Sequence, residues 1–345
     1  MPLLFSFGGL ITLIALYVGG REVIAGNLTK GTVVSFFVYI AMLFWPIIAL
    51  GWVVSLYQRG SASMDRVNKI LRQIAEFESI AEPSSAVRGQ ARGKIEFRNL
   101  SFTFPRKRET DEERFRLEDI SLTLLPGESL GVIGPVGAGK SVFAALIPRL
   151  YDPPRGALFV DDRDALDWPL RDLRSTIGYV PQESFLFSAR LDANIRFGAP
   201  SAEDEEVARA AGLAAMEKDI IEFTDGYKTI VGERGITLSG GQKQRVSIAR
   251  ALLTDPRIII FDDATSAVDT ETDAQIQAAL RSELRGRTAI IISHRISSVK
   301  NCDRILYLEA GRLRELGTHQ ELVAADGPYA ELNRLQSLEE ELRAG

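Results

Sequence analysis

Two long uncharged stretches open the chain. Leu3–Gly20 has 18 residues, about 27 Å as a helix at ~1.5 Å per residue, and Gly31–Gln58 has 28, about 42 Å. Residues 1–58 hold only three charged side chains, whereas 25% of the residues in the whole chain are charged. The pattern predicts two membrane-spanning helices, and Pro46 is expected to kink the second.

Two other interpretations of these stretches are open, a buried helical hairpin in a soluble core and a signal peptide. Core helices are seldom this long without a charge, and no basic segment precedes the first stretch. Four basic residues follow the second stretch, namely Arg59, Arg66, Lys69 and Arg72. The positive-inside rule therefore predicts a hairpin with its turn outside and everything after residue 58 in the cytoplasm.

The pattern changes after the membrane stretches. Helical spacing continues from Gln58 to about Phe77, and a Pro- and Ser-containing linker at 82–89 then breaks it. Alternating segments next predict small antiparallel strands at Lys94–Phe97, Phe102–Phe104 and Leu117–Leu124. The almost wholly charged stretch at 106–114 is interpreted as a solvated hairpin loop without a function.

A glycine-rich loop then separates a predicted strand, Glu128–Ile133, from a helical pattern at Val142–Leu150. The loop reads Gly134-Pro135-Val136-Gly137-Ala138-Gly139-Lys140-Ser141, which is G-x-x-x-x-G-K-S in the strand–loop–helix setting that the motif requires. Its glycines allow backbone N–H groups to turn inward around an anion. Lys140 is expected to reach the β- and γ-phosphates, and the Ser141 hydroxyl to ligate Mg²⁺.

Two later segments fit the same chemistry. Arg257–Asp263 is an apolar run that ends in two carboxylates, and Asp262 is expected to hold Mg²⁺, directly or through water. Thr237–Gln242 leads into a predicted helix at Gln244–Leu253, with Ser239 as its N-cap. The sequence thus predicts a nucleotide site at the carboxyl edge of a parallel sheet.

Composition narrows the function further. The net charge of −5 and the pI near 5.4 argue against nucleic acid as the main partner. A single cysteine, Cys302, excludes an internal disulfide framework and fits a reducing cytosol. Only two histidines occur, His294 and His319, which argues against a zinc site.

Leu238–Gln242 resembles the LSGGQ signature of ATP-binding cassette (ABC) proteins, and further motifs stand in the family's order. Phe104, 30 residues before Gly134, matches the aromatic that stacks on adenine, where Tyr is commoner. Gln182 matches the glutamine that links the metal site to the membrane domain. Asp269 lies in a segment similar to the D-loop, Ser266–Asp269, and His294 resembles the switch histidine that senses the γ-phosphate.

The resemblance extends over essentially the whole chain. Thr229–Gly235 is similar to a short motif specific to exporters, and residues 1–80 resemble the last two of an exporter's six transmembrane helices. It implies an α/β P-loop NTPase domain of ABC type, with a mixed core sheet, an antiparallel β part near 94–125 and a helical part near 183–250. The domain limits expected are 1–80 for the membrane part, 81–93 for a linker, 94–335 for the nucleotide-binding domain and 336–345 for a helical tail.

The function implied by the resemblance is ATP-driven export of a drug, lipid or peptide across the cytoplasmic membrane. A second half-transporter subunit and membrane lipid are the expected partners. The phosphates and Mg²⁺ would be held by Lys140, Ser141, Gln182 and Asp262. The γ-phosphate of the ATP bound by the partner subunit would be contacted by Ser239, Gly240, Gly241 and Gln242. Catalytic roles fall to Asp263, His294 and Gln182.

Two departures from the family pattern carry expectations of their own. Only two of six spans are present, so the sequence is interpreted as the C-terminal portion of a longer half-transporter. Asp263 stands where the family usually has Glu, the residue that polarises the attacking water. A heterodimer with a weakened site on this chain is therefore expected. The alternatives are a mainly non-hydrolytic regulatory subunit and a soluble ABC ATPase of repair or translation.

Overall fold

The computed structural model describes residues 2–72, 91–104, 116–264, 272, 275–276 and 286–344. The chain divides into two compact units, residues 1–78 and 79–345. The first unit is helical, and the second is built on a sheet. The predicted linker at 82–89 and the predicted charged loop at 106–114 lie outside the described residues.

The first unit contains α1 (Pro2–Ile24) and α2 (Lys30–Leu71). Gly19 lies against Val33, and Gly8 lies against the ring of Phe44, so the two helices pack as an antiparallel hairpin. Both helices are long and apolar enough to cross a membrane, and no residue of α2 is buried. This exposure excludes the interpretation as a buried hairpin in a soluble core, because such a hairpin would cover its apolar side chains.

α2 starts at a capped end and continues well beyond the predicted span. The Thr29 hydroxyl accepts a hydrogen bond from the backbone N–H of Thr32 and so caps the helix. The 42-residue helix runs through Pro46 without interruption and ends at Leu71. Its last 13 residues after Gln58 agree with the predicted continuation of helical spacing.

A ten-stranded sheet forms the second unit, in the order β5-β4-β1-β2-β10-β9-β3-β8-β7-β6. Its strands are β1 (Ile95–Thr103), β2 (Arg116–Leu124), β3 (Ser129–Ile133), β4 (Leu158–Val160), β5 (Arg163–Asp164), β6 (Ile177–Val180), β7 (Ile258–Asp262), β8 (Thr288–Ile292), β9 (Arg304–Glu309) and β10 (Arg312–Gly317). The strands from β9 to β6 in this order are parallel, whereas β1, β2, β4 and β5 pair antiparallel. The mixed sheet with an antiparallel part confirms the predicted fold class.

The helices described in this unit are mostly short. They are α3 (Lys140–Leu146), α4 (Leu170–Ser175), α5 (Leu191–Ile195), α6 (Asp204–Leu213), α7 (Glu217–Glu222), α8 (Gly240–Leu253), α9 (Ile296–Val299), α10 (His319–Ala324) and α11 (Pro328–Ala344). Helices α5 to α8 form the predicted helical part near 183–250. α3 ends at Leu146, short of the predicted Leu150, because Pro148 follows closely and cannot continue a helix. α11 runs unbroken across the expected 335/336 limit.

The central strands are buried on both faces, as their continuous apolar sequences predict. Every residue of β7 and β8 is buried. Side chains alternate along each strand, so Ile259 and Ile291 pack into one core while Ile258 and Ile290 pack into the other. Apolar cores on both faces therefore fix the position of these strands, whose carboxyl ends carry the candidate site.

The prediction of separate strands at Lys94–Phe97 and Phe102–Phe104 is wrong, because one strand, β1, covers both. Its register with β2 shifts twice between Phe97 and Phe102. Asn99 has a φ of +46° there, and its side chain donates to Asp119, whose φ is +49°, over 2.9 Å. This pair of left-handed residues interrupts the alternation of apolar positions without ending the strand.

The buried position of β8 leads to a stability prediction. Ile290→Ala should lower the free energy of unfolding by about 2–5 kcal/mol, since it removes a fully buried side chain and leaves a cavity. Ile221→Ala is the matched control, because Ile221 is 83% exposed and its loss should change stability by less than about 0.5 kcal/mol. Urea denaturation of the detergent-solubilised chain, followed by circular dichroism, measures both. Equal effects of the two variants would contradict the assignment of β8 to the core.

Candidate nucleotide-binding site

The glycine-rich loop links the end of β3 to the start of α3. A side chain at Gly134 would collide with the carbonyl oxygen of Leu308, so only glycine fits at this position. Gly139 is required by conformation, since its φ of +103° lies in the left-handed region at the N-cap of α3. Val136 at the tip is 89% exposed, whereas Ala138 is buried beneath the loop. The sequence thus forms the predicted compact loop between strand and helix.

Lys140 is buried and lies across this loop. Its Nζ donates to the carbonyl oxygens of Gly134, at 2.8 Å, and Pro135, at 2.9 Å. An ammonium group has three protons, so one remains for a phosphate oxygen. Burial lowers the pKa of Lys140, while the charges of Asp263 and Asp262 act in the opposite direction. The two hydrogen bonds therefore hold Nζ of Lys140 in a fixed position within the loop.

Asp262 ends β7 and is almost fully buried, at 4% exposure. One carboxylate oxygen accepts from the Ser141 hydroxyl at 2.9 Å, and the other accepts from the Tyr179 hydroxyl at 3.2 Å. Burial raises the pKa of Asp262, although both hydrogen bonds oppose that shift. Burial, followed by the neighbouring carboxylate, also raises the pKa of Tyr179. The phenol therefore stays protonated and remains a donor.

These groups meet the requirements of a bound Mg²⁺ ion. A hydroxyl oxygen and a carboxylate oxygen lie 2.9 Å apart at Ser141 and Asp262, and the side chain of Gln182 lines the same cleft. Mg²⁺ prefers such oxygen ligands and usually takes its remaining ligands from phosphates and water. The described residues contain no group of three or more His, Cys, Asp or Glu that would form an all-protein metal cage. The donor set therefore fits a metal that arrives with a nucleotide.

Ten of the predicted site residues line one cleft of about 390 Å³. Beside Ser141, Asp262 and Gln182, these include Lys140, Asp263, His294 and Phe104, together with the loop residues Val136, Gly137 and Gly139. Asp263 has a φ of +49°, and its backbone N–H donates to the Ile292 carbonyl at 3.0 Å. His294 follows β8, next along the sheet. Strands β3, β7 and β8 thus bring separate motifs to a single place.

Phe104 lies at the edge of this cleft within an aromatic cluster. Its ring meets that of Tyr151 edge-on at 4.9 Å and that of Phe102 at 5.3 Å. Tyr151 is 42% exposed and was not among the predicted site residues. The cluster fixes the orientation of Phe104 and leaves part of its ring exposed in the cleft.

The signature segment lies apart from the residues that line the cleft. Ser239 and Gly240 are exposed at the start of α8, whereas Gly241 is buried. Ser239 and Gln242 form a capping box, in which each side chain binds the other residue's backbone N–H, at 3.2 and 2.8 Å. The Gln242 amide also donates to Asp219 at 2.9 Å. These contacts hold the helix start in a defined, solvent-facing form.

Two residues that contact the candidate site were missed from the sequence, and one predicted site residue lies outside the described residues. Tyr179 belongs to the segment containing Gln182, but its role depends on the pairing of β6 with β7, which places Tyr179 beside Ile260. Tyr151 follows α3 in a turn that carries no motif. Asp269 and its segment 266–269 fall outside the described residues.

Comparison with known proteins agrees with this geometry. Residues 117–266 match the family model described as ABC transporter. A probable multidrug resistance ABC transporter ATP-binding/permease protein, YheI of Bacillus subtilis (strain 168), is 41% identical over 94% of this chain and 54% of its own length. The ATP-dependent lipid A-core flippase of Alkalilimnicola ehrlichii is 38% identical over 96% of this chain and 55% of its own length.

A solved structure extends the match to the fold. It is described as a bacterial Atm1-family ABC exporter with ATP bound, and it has a TM-score of 0.73 and 36% identity over 95% of this chain and 59% of that one. This chain belongs to the ABC transporter family. It spans slightly more than half the length of these relatives.

Membership in the ABC transporter family also accounts for the N-terminal unit. α1 and α2 fall within the region matched by these relatives, and both are long and apolar enough to cross a membrane. The chain is therefore a membrane protein whose ATP-binding domain lies in the cytoplasm, as the basic flank after residue 58 predicts.

The buried carboxylate leads to a prediction about pH. Because the pKa of Asp262 is raised in the fold, ionised Asp262 lowers the free energy of unfolding at neutral pH, and protonation on acidification removes this penalty. Asp262→Asn should therefore raise the melting temperature of the nucleotide-free chain at pH 7, and this effect should shrink as the pH is lowered toward the ordinary carboxyl pKa of 3.8. The same substitution should abolish the Mg²⁺-dependent part of nucleotide affinity. Thermal melts and titrations with and without Mg²⁺ test this, and a lower melting temperature for the variant at pH 7 would refute it.

Proposed function

We propose that this chain is the ATP-binding subunit of an ABC exporter, which couples ATP binding and hydrolysis to export of a substrate across the cytoplasmic membrane. One observation carries the proposal, namely that Lys140, Ser141 and Asp262 share one cleft with Asp263, His294 and Phe104. This is the set of groups needed to bind the phosphates, the metal and the base of ATP and to activate a water molecule. The exporters among its relatives support the transport role.

Binding of the triphosphate follows from the loop geometry. The remaining proton of Lys140 would bind a β- or γ-phosphate oxygen, while the backbone N–H groups of the glycine-rich loop surround the phosphates. Ser141, Asp262 and Gln182 would hold Mg²⁺, which when bound neutralises charge that develops on the phosphates. Phe104 would stack on adenine from the edge of the cleft.

Hydrolysis is assigned to Asp263, with His294 sensing the γ-phosphate. A carboxylate in this position orients and deprotonates the attacking water, but Asp is one methylene shorter than Glu, so its oxygens lie on the order of 1 Å further back. The left-handed backbone at Asp263, with a φ of +49°, suits Asp better than Glu. We expect this site to bind ATP and to turn it over slowly.

A second subunit would complete the site. Ser239 and Gly240 are exposed at the N-terminus of α8, where N–H groups and a hydroxyl favour an anion. They lie outside this chain's own cleft, which fits a role toward the γ-phosphate bound by a partner. Because the signature is intact and the base is short, we favour a heterodimer whose other subunit carries Glu at the position of Asp263.

Closure of two ATP-binding domains on ATP, and their opening after hydrolysis, would drive the membrane helices. The transported molecule would be a drug, a lipid or a peptide. A second candidate function is a mainly non-hydrolytic subunit that binds ATP and completes the partner's site. The shortened base at Asp263 favours this candidate.

Nucleotide binding is tested at Lys140. Lys140→Ala should weaken ATP binding about 10–100-fold, because it removes a charge-assisted hydrogen bond to phosphate worth about 1.5–3 kcal/mol. Lys300→Ala is the control, since Lys300 is exposed and does not line the cleft. Titration of the detergent-solubilised chain with a fluorescent ATP analogue measures both. If ATP affinity and ATPase rate stay unchanged in Lys140→Ala, the assignment fails.

The division of labour is tested with two further variants in the paired complex. Asp263→Glu should raise hydrolysis at this chain's own site by about 10–100-fold, because the base regains its reach. Asp255→Glu controls for the backbone, since Asp255 also has a φ of +49° but does not line the cleft. Ser239→Ala should instead slow the partner's site.

The control for Ser239→Ala is Thr318→Ala, because Thr318 caps α10 in the same kind of capping box without facing a nucleotide. ATPase rates of the complex with each variant are the measurement. Full activity of this chain as a homodimer, with no gain from Asp263→Glu, would show Asp263 to be a competent base and rule out the asymmetric arrangement.

A further inference from the structure

The backbone that carries His294 is held by hydrogen bonds from outside the loop. Ser293–Ile296, called here the switch loop, joins β8 to α9. Its first N–H donates to the Val132 carbonyl of β3 at 3.2 Å, and the Arg295 N–H donates to the Ser293 hydroxyl at 3.0 Å. Two further backbone groups of the loop, on either side of Arg295, bind one side chain from α11.

That side chain is Gln336, 40 residues along the chain from Ile296. Its Nε2 donates to the His294 carbonyl at 2.6 Å, and its Oε1 accepts from the Ile296 N–H at 2.8 Å. A carbonyl can only accept and an N–H can only donate, so the pair fixes the orientation of the amide. Only a side chain with both a donor and an acceptor at this reach makes both contacts.

α11 is also anchored near its N-terminus, independently of Gln336. Tyr329 is fully buried, and its hydroxyl lies 2.7 Å from Nδ1 of His319, at the start of α10. The Tyr329 N–H also donates to the Glu315 carboxylate of β10 at 2.9 Å. Gln336 lies about two turns further along, about 10 Å at 1.5 Å per residue. A helix fixed at Tyr329 therefore presents Gln336 to the switch loop at a defined position.

We propose that Gln336 is a positioning residue that holds the switch loop, so that His294 faces the cleft and responds to the γ-phosphate. The C-terminal helix then takes part in nucleotide turnover, whereas the sequence alone placed Gln336 in a helical tail. The inference rests on the proposed function, because it assigns a means of control to His294 in the same site. Gln336 acts through the backbone of His294 and does not itself line the cleft.

Gln336→Met tests this in the detergent-solubilised paired complex, because Met keeps the length of the side chain and loses both hydrogen bonds. ATP turnover should fall about tenfold, as expected from the loss of about one net hydrogen bond in the active arrangement, while ATP affinity stays unchanged. Gln336→Glu keeps the acceptor for Ile296 N–H but cannot donate to His294, so it should also lose activity. Glu339→Met is the control, since Glu339 is exposed on the same helix.

A spectroscopic readout separates positioning from simple helix docking. The chain has only two histidines, so ¹³C-histidine labelling gives two imidazole signals. The His294 signal should shift on adding Mg-ATP in the wild-type chain and respond less in Gln336→Met. The His319 signal should keep its position in both, because its contact with Tyr329 reports that α11 remains docked.

The outcomes are distinct. A smaller ATP response at His294 with an unchanged His319 signal supports the positioning role. Unchanged turnover and an unchanged His294 signal in Gln336→Met would overturn it, as would loss of activity only where the His319 signal also moves. If the wild-type complex binds ATP without turning it over, the proposed ATPase is wrong, and the response of His294 to ATP alone then decides the role of Gln336.

Discussion

The nucleotide-binding cleft depends on one buried carboxylate, that of Asp262. It joins the start of α3 through Ser141, the strand β6 through Tyr179, and its own strand β7. Burial of a charge is costly, and two hydroxyl donors offset only part of that cost, which is why its pKa remains raised. The nearby Lys140 adds an opposite charge, but its own burial lowers its pKa as well. The nucleotide-free cleft is therefore electrostatically unfavourable, and a magnesium–phosphate group would relieve both charges.

Such a site is tolerated because apolar cores on both faces stabilise the sheet that carries it. β7 and β8 are buried along their whole length, and their side chains alternate between two apolar cores. The polar residues appear only where these strands end. The free energy gained by burying isoleucine side chains thus holds Asp262 and Asp263 in place without any contribution from the site itself.

Motif and periodicity predicted those parts that depend on local sequence. The glycine-rich loop, the apolar strand before Asp262 and the two N-terminal helices follow from short stretches, so their residues and elements were found. What was missed depends on pairing between distant segments. Tyr179 reaches Asp262 because β6 lies beside β7, and the irregular pairing at Asn99 and Asp119 makes the single strand β1 look like two in the sequence. Gln336 lies in α11, which the expected domain limit at 335/336 divides. Only its contacts with the switch loop indicate a role.

The length of α2 has a mechanical consequence. Its 42 residues measure about 63 Å, roughly twice the thickness of a bilayer core, so about 30 Å of continuous helix extends beyond the core. Pro46 removes one hydrogen bond from α2, but no proline follows it in the helix, so the segment beyond the core would move as a rigid lever. A tilt of about 10° within the membrane would displace a point 30 Å beyond it by about 5 Å, close to one turn of helix. A small tilt within the membrane would therefore become, at Leu71, a displacement of about one turn of helix.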